Sequence, residues 1–284
     1  MNKAWLLSGV CMLSPLPAYG MVCNGSTDLC DRGYEEVSYP TTHNAFNYVW
    51  GPDQFWFANQ RWPVTTQLED GVRALMLDVH PYNGFDASHE GETWVCHSFC
   101  WLGGEPLVDV LFEITDFMNS HPNEVITIIF EAYSDWEEIY LAFMEADLLD
   151  RTWAQSPGEA WPTLGEMINQ NKQLVVFTDH QGGAVDWYMP VWDHAVETHY
   201  SAQHPGDLSC EFNRGNPDND LFILNHFLTY PLARRTLALQ VNRNPFFEER
   251  ALTCEQETGK LPNFVTVDFY DIGDLFSVVR TLNE

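Results

Sequence analysis

Two histidines stand at the ends of short apolar segments, where side chains could carry out proton transfer. His43 follows an apolar-alternating segment that begins at Val37, and His97 lies in a short strand predicted at 93–98. Imidazole changes its charge near neutral pH, so two histidines that face one substrate could act as general base and general acid. Either histidine taken alone fits a hydrogen-bonded structural role, so the chemistry depends on whether the fold brings the two together.

Oxygen-bearing side chains accompany the histidines. Asn44, Asp78 and Glu131 each lie at the end of a predicted strand. Amide and carboxylate oxygens suit Ca²⁺ or Mg²⁺ better than zinc. Asp268, at the end of the last predicted strand, could hold one imidazole in a single tautomer. Because the sequence has no Gly-x-Ser-x-Gly motif, these residues favour acid–base cleavage of a phosphodiester near a cation.

Apolar segments alternate with helical patterns along the chain. Further strands are predicted at 72–79, 124–130, 172–178, 221–225 and 263–270, and residues 185–200 are predicted to be helical with an interruption at Pro190. This alternation predicts right-handed βαβ units and an α/β fold, a single distorted TIM-type (β/α) barrel. An open doubly wound sheet is the alternative, but no glycine-rich phosphate loop follows the first strand. In a barrel, the polar residues at the strand ends share one rim.

The first twenty residues differ from the rest of the chain. Lys3 precedes the apolar stretch 4–13, and Ala18-x-Gly20 is a suitable cleavage site. The apolar stretch is too short to span a bilayer. We therefore expect residues 1–20 to be a signal peptide, residues 21–284 to form one catalytic barrel, and the mature protein to be secreted.

Cysteine usage agrees with export. The chain has seven cysteines, and six remain when Cys11 of the leader is set aside. Spacing suggests the pairs Cys23–Cys30, Cys96–Cys100 and Cys210–Cys254, although six cysteines allow many other connectivities. Cys96-His97-x-x-Cys100 also invites a zinc interpretation, but no compact four-ligand pattern supports it.

The charge of the chain limits its partners. A formal net charge of -28 and a sequence pI near 4.4 leave no basic stripe for nucleic acid. An anionic membrane would repel this surface unless salt or divalent cations intervened. The aromatic residues within 50–62 could contact lipid or a substrate ring, and packing over the barrel mouth is the alternative.

Several motifs resemble the X domain of phosphatidylinositol-specific phospholipases C. They are Thr42-His43-Asn44, Gln67-Leu-Glu-Asp-Gly-Val-Arg73 leading into Leu77-Asp78, and Cys96-His97. Asn59-Gln60, Pro122-Asn-Glu-Val125 and Val267-Asp-Phe-Tyr-Asp-Ile-Gly273 resemble secreted microbial phosphodiesterases of the same superfamily. The resemblance runs from about residue 37 to residue 282 and is loose over 201–260.

The resemblance implies a distorted TIM barrel that cleaves a phosphoinositide-like phosphodiester. His43 would be the general base that activates the inositol 2-hydroxyl, and His97 would be the general acid that protonates the leaving diacylglycerol oxygen. Asp268 would orient His43. Asn44, Asp78 and Glu131 would bind Ca²⁺, while Arg73, His226 and Tyr270 are candidate substrate-binding residues. A structural ion pair below the rim is the alternative role for Arg73.

The chain departs from the resemblance at two positions. Met76 stands where calcium-dependent members carry a carboxylate, and Asp78 stands where metal-independent members carry an arginine. We expect a monomer that acts on a phospholipid or phosphoinositol, with transient contact to a membrane surface. The alternatives are a phosphodiesterase acting on another lipid, such as one of the sphingomyelin type, and a non-catalytic barrel that binds headgroups.

Overall fold

The computed structural model describes residues 20–49, 57–230 and 232–284. The predicted signal peptide, apart from Gly20, and residues 50–56 of the aromatic segment lie outside these ranges. No helix in the described part of the chain is long and apolar enough to cross a bilayer.

Strands and helices alternate along the described ranges. The strands are β1 Tyr39–Thr42, β2 Ala74–Pro81, β3 Thr93–Cys96, β4 Gly104–Pro106, β5 Ile126–Ala132, β6 Thr152–Trp153, β7 Leu174–Thr178, β8 Tyr188–Pro190, β9 Ala195–Thr198, β10 Phe212–Arg214, β11 Leu221–Asn225 and β12 Phe264–Val267. The α-helices are α1 Val64–Asp70, α2 Leu107–Ser120, α3 Trp136–Glu145, α4 Leu164–Asn169, α5 Arg235–Val241, α6 Phe246–Thr258 and α7 Leu275–Leu282.

One curled sheet forms the centre of the molecule. Its main path runs β10-β9-β11-β12-β1-β2-β5-β7-β6, and β9, β11, β12, β1, β2, β5 and β7 pair in parallel in that order. β7 is buried throughout and is apolar up to Thr178, as expected of a parallel strand covered on both faces. The predicted α/β class and distorted barrel are confirmed. Parallel pairing places the carboxyl ends of these strands on one rim.

Two segments differ from the expected pattern. β3 and β4 are antiparallel additions beside β2, so His97 reaches the rim from a hairpin rather than from a parallel barrel strand. The helix predicted at 185–200 is wrong, because this segment forms β8 and β9 instead. Short apolar runs fit the periodicity of a helix as well as that of a strand. Pro190 would interrupt a helix, whereas it can stand at the end of a strand such as β8.

All three suggested cysteine pairs are disulfides. Cys23–Cys30 and Cys96–Cys100 close short loops, and Cys210–Cys254 joins distant parts of the chain. The Cys96–Cys100 bridge lies beside His97 and encloses the turn that carries it.

Candidate active site

His43 is held from one side by a buried carboxylate. It follows β1 directly, and its Nδ1 lies 2.9 Å from Asp268 Oδ1, just after β12. The two residues meet because β1 pairs in parallel with β12, with Thr42 opposite Val267. Asp268 is buried, and the His43 ring stacks on Phe227 with centroids 4.0 Å apart. A carboxylate at Nδ1 favours the tautomer that keeps the proton there, which leaves Nε2 free to accept one.

Asn59 joins His43 and Asp268 to their surroundings. Its Nδ2 donates to Asp268 Oδ1 at 2.9 Å, and its Oδ1 accepts from Asn47 Nδ2 at 2.7 Å and from Asn44 Nδ2 at 3.4 Å. With Asn44 Nδ2 engaged in this way, the amide oxygen of Asn44 remains available to a ligand. Sequence reasoning noticed Asn59 only as part of a motif and gave it no role.

His97 and His43 line the same cavity. This cavity of about 220 Å³ is lined by both histidines, by amide side chains that include Asn59, and by apolar side chains that include Leu102 and Leu232. Although His97 is an exposed residue, the protein atoms around it, and then the charge of His43, lower the pKa of His97. The predicted pair of histidines therefore meets at one site.

Another cavity lined by His43 is acidic. It has a volume of about 310 Å³ and is lined by His43, Asn44 and several carboxylates. Asp78 and Glu131 stand side by side in the register of β2 and β5. Burial, followed by the negative charges of Glu131 and Asp179, holds the pKa of Asp78 well above its usual value. These three carboxyl groups lie together beside His43, and burial and mutual repulsion oppose a full negative charge on all of them.

Another wall of the acidic cavity carries an arginine between aromatic rings. The Arg214 guanidinium lies 4.4 Å from the ring centroid of Trp192 and 4.7 Å from that of Tyr200. Its Nε donates to Glu197, and Asn225 Nδ2 donates to the other oxygen of Glu197 at 3.1 Å. This arrangement presents alternating donors and acceptors to a ligand, which suits a polar headgroup.

The donor chemistry of the acidic wall fits calcium. Asn44, Asp78 and Glu131 can each present an oxygen, the ligand that Ca²⁺ prefers. Burial, and then the charges of Glu131 and Asp179, raise the pKa of Asp78, and a bound cation would offset the repulsion between these carboxylates. The Tyr133 hydroxyl donates to Glu131, which engages one of its oxygens. Within the described ranges, no three His, Cys, Asp or Glu side chains form a ready-made metal cluster. Calcium thus stays a prediction.

Arg73 does not reach the cavity, which corrects its assignment as a substrate-binding residue. It precedes β2 at the opposite end of the barrel, and its Nε donates to Glu124 at 2.7 Å. Its Nη1 donates to the carbonyl oxygens of Leu68 and Val72. These contacts fit the alternative role, a structural ion pair below the rim.

The substrate-binding assignments of His226 and Tyr270 are corrected as well. His226 is fully buried, and its Nε2 donates to the carbonyl oxygen of Val241 at 2.9 Å while Arg250 donates to its Nδ1. Successive strand residues point to opposite faces, so Asn225 lines the cavity and His226 packs under α6. Tyr270 is also buried, and its hydroxyl donates to Asp70 at 2.7 Å.

Several cavity residues had no assignment from the sequence. Asp179 was visible as a polar residue after a strand but received no role. Glu197 lies within the segment misread as helix, and Arg214 lies in a loop-like region without a motif. Alternation along β9 would have identified Glu197 as an inward residue if the strand had been recognised.

Comparison with known proteins agrees with this geometry. A family model described as PI-PLC X 1 matches residues 29–283. The chain belongs to the PI-PLC X domain family. A PI-PLC X domain-containing protein 1 of Arthroderma benhamiae is 30% identical to this family member over 98% of the chain and 95% of the relative.

Two further relatives extend the comparison. A protein of Arthroderma benhamiae named as an uncharacterized secreted protein is 25% identical over 95% of this X-domain chain and 65% of its own length. The solved phosphatidylinositol-specific phospholipase C from Listeria monocytogenes superposes with a TM-score of 0.61 at 14% identity, covering 90% of this chain and 96% of that one. Family and fold together support a phosphodiesterase-like function.

Proposed function

We propose that the protein is a secreted phosphodiesterase of the phosphatidylinositol-specific phospholipase C type, which forms a cyclic inositol phosphate. The observation that carries this proposal is the convergence of His43, Asp268 and His97 on one site. An acidic cavity lies on one side of His43 and an apolar cavity on the other. That division suits a substrate with a polar headgroup and a lipid leaving group.

His43 is the proposed general base. With its Nδ1 proton held by Asp268, Nε2 accepts the proton of the inositol 2-hydroxyl. The freed oxygen attacks the neighbouring phosphorus and forms the second P–O bond of a five-membered cyclic phosphate. Stacking on Phe227 keeps the ring from rotating away from the hydroxyl.

His97 is the proposed general acid. As the bond between phosphorus and the diacylglycerol oxygen breaks, His97 gives its proton to that oxygen, and diacylglycerol leaves through the apolar cavity. Burial, and then the charge of His43, lower the pKa of His97 and so disfavour the protonated ring in the absence of substrate. An anionic phosphate bound beside the ring raises the pKa of His97 again, so bound substrate favours the protonated form that the general acid needs.

Asn44, Asp78 and Glu131 are the proposed calcium ligands. When bound there, calcium would neutralise charge on the phosphate oxygens. Asn59 would hold the Asn44 amide with its oxygen toward the cavity. Calcium titration calorimetry of the substrate-free protein tests this set, and removal of one carboxylate by Asp78→Asn should abolish the binding.

Secretion and a lipid partner complete the proposal. Three disulfides and the resemblance to a secreted relative support export after removal of a signal peptide. Its net charge of -28 gives no basis for nucleic-acid binding. We propose that the protein works as a monomer and contacts membrane surfaces transiently.

The test of this function is release of water-soluble cyclic phosphoinositol from vesicles containing labelled phosphatidylinositol, first with calcium and then with chelator. We expect release that falls on chelation. Sphingomyelin and phosphatidylcholine vesicles serve as parallel substrates. Cleavage of sphingomyelin or phosphatidylcholine without cleavage of phosphatidylinositol would contradict the inositol headgroup assignment. Binding of a headgroup without turnover of any substrate would show that the barrel is a binding protein.

A further inference from the structure

The two proposed proton-transfer residues are held in different ways. The His43 ring has the Asp268 carboxylate at its Nδ1, the Asn59 amide beside it and the Phe227 ring stacked on it. In the part of the chain that the structure describes, no side chain hydrogen-bonds to the His97 ring or stacks on it, and His97 is exposed. A general acid must stay within reach of the oxygen that it protonates. The direction of the His97 ring therefore depends on the backbone that carries it.

That backbone is a short turn closed by a covalent bond. Cys96, the last residue of β3, forms a disulfide with Cys100. Inside this ring, the Phe99 amide donates to the His97 carbonyl oxygen at 2.8 Å. Ser98 has a φ of 67°, a left-handed conformation that residues other than glycine rarely adopt unless their surroundings impose it. We call residues 96–100 the His97 turn.

Asn83 binds the His97 turn from the segment that follows β2. Its Nδ2 donates to the Ser98 carbonyl oxygen at 2.8 Å, and its Oδ1 accepts from the Cys100 amide at 2.7 Å. One side chain thus contacts two backbone groups of the turn. Since β2 also carries Asp78, these two bonds connect the turn to the strand that forms part of the acidic cavity.

We propose that Asn83 and the Cys96–Cys100 disulfide position His97, and that they influence protonation of the leaving group without influencing the attack on phosphorus. Their role rests on the proposed function, in which His97 is the general acid. Without either restraint the turn gains further conformations, so the ring spends less time within reach of the leaving oxygen. The attack depends on His43, which Asp268 and Phe227 hold independently of the turn.

The test variant is Asn83→Asp. It keeps an acceptor for the Cys100 amide but places a carboxylate oxygen against the Ser98 carbonyl oxygen. Asn24→Asp is the matched control, because the Asn24 side chain also donates to a backbone carbonyl oxygen and accepts from a backbone amide. Both of these groups belong to Val125, which precedes β5 at the opposite end of the barrel.

Each protein is assayed on phosphatidylinositol and on p-nitrophenyl inositol phosphate, whose phenolate departs without a proton. In Asn83→Asp we expect kcat on phosphatidylinositol to fall by about tenfold to a hundredfold, and kcat on the p-nitrophenyl ester to change by less than about twofold. In Asn24→Asp the ratio of the two kcat values should stay within about twofold of that of the unmodified protein.

Removal of the disulfide is a second, independent test. C96S/C100S should produce the same selective loss on phosphatidylinositol. C23S/C30S opens another short disulfide loop, next to Asn24, and should keep the ratio of the two activities. Thermal unfolding of each variant identifies a loss of fold. Because both substrates are assayed on the same sample, a smaller folded fraction lowers both activities equally and leaves their ratio unchanged.

A measurement without substrate separates the positioning of His97 from the proposed function. We expect the NMR order parameter of the His97 ring Cε1–H bond to resemble that of His43 in the unmodified protein, and to fall in Asn83→Asp and in C96S/C100S. Unchanged order of the ring in both variants, or equal losses of the two activities, would overturn the positioning role. The expected order parameters in a protein that cleaves neither substrate would support the positioning role and refute the proposed function.

Discussion

His43 meets Asp268 through one ring nitrogen only, with Nδ1 and Oδ1 2.9 Å apart. Because of this contact, Asp268 determines which nitrogen of His43 carries the proton. An Asp268→Asn change keeps the shape but allows the amide to donate to Nδ1, which favours the tautomer that has no lone pair at Nε2. We expect kcat to fall by about three to four orders of magnitude. Stopped-assay release of cyclic phosphoinositol measures it, and a loss of less than tenfold would contradict the assignment.

Asn59 should act as a positioning residue for His43. An Asn59→Asp change places a second carboxylate against Asp268 Oδ1, so we expect kcat to fall by about tenfold to a hundredfold with KM nearly unchanged. Asn263→Asp is the matched control, since Asn263 is equally buried and donates to the carbonyl oxygens of Glu35 and Val37. The control should lose stability and keep kcat. Equal losses of kcat in Asn59→Asp and Asn263→Asp would show that Asn59 has only a structural role.

The acidic cavity should reject headgroups with additional phosphates. Among its described lining residues, Arg214 is the one Lys or Arg side chain, and it already pairs with Glu197. A further phosphate brings a charge of about -1.5 to -2 near Asp78 and Asp179. We expect kcat/KM for phosphatidylinositol 4,5-bisphosphate to be at least about a hundredfold below that for phosphatidylinositol.

Matched mixed vesicles with equal mole fractions of the two lipids measure this preference. Glu197→Gln removes one carboxylate and releases Arg214 from its ion pair. The kcat/KM for phosphatidylinositol 4,5-bisphosphate should therefore rise relative to that for phosphatidylinositol. Equal turnover of both lipids by the unmodified protein would show that the carboxylates do not select the headgroup.

His226 should make stability depend on pH. Burial, and then the charge of Arg250, lower the pKa of His226 to about 3, whereas the pKa of an unfolded histidine is about 6.5. Between these values the unfolded chain binds a proton that the folded chain does not. The free energy of unfolding should therefore fall as the pH drops through this window, with His226 contributing a slope of about 1.4 kcal/mol per pH unit.

Urea unfolding at several pH values compares the chain with a His226→Gln variant. In the variant, the free energy of unfolding should depend less steeply on pH by the contribution of His226, whatever its absolute stability. Parallel curves for the two proteins between these pH limits would contradict the buried, neutral state of His226.

Much of the fold could be predicted from the sequence because the central strands are strongly apolar. The runs 124–130 and 172–178 predict buried strands, which the structure has as Ile126–Ala132 and Leu174–Thr178. Parallel pairing then places the ends of these strands on one rim. The proposed base and its carboxylate follow from this reasoning, since both lie directly after parallel strands. Short segments were less informative, because β8 and β9 hold too few residues to distinguish a strand from a helix.

Side-chain direction limited the prediction of the site. His226 and Asn225 are both polar and both end a strand, yet one residue of offset decides which enters the cavity. Arg214 reaches the cavity from an antiparallel strand that pairs with β9, a contact that no local pattern announces. Asn59 is positioned through hydrogen bonds to distant residues, so its role became visible only with the folded chain.

The most direct test of the proposed acid–base pair uses two substrates with different leaving groups. Phosphatidylinositol requires protonation of an alkoxide, whereas p-nitrophenyl inositol phosphate releases a phenolate that departs without a proton. We predict that His43→Ala loses activity on both substrates, while His97→Ala loses it on phosphatidylinositol and retains most of it on the p-nitrophenyl ester. Equal losses of activity on both substrates in His97→Ala, or full activity of His43→Ala on either one, would contradict the account.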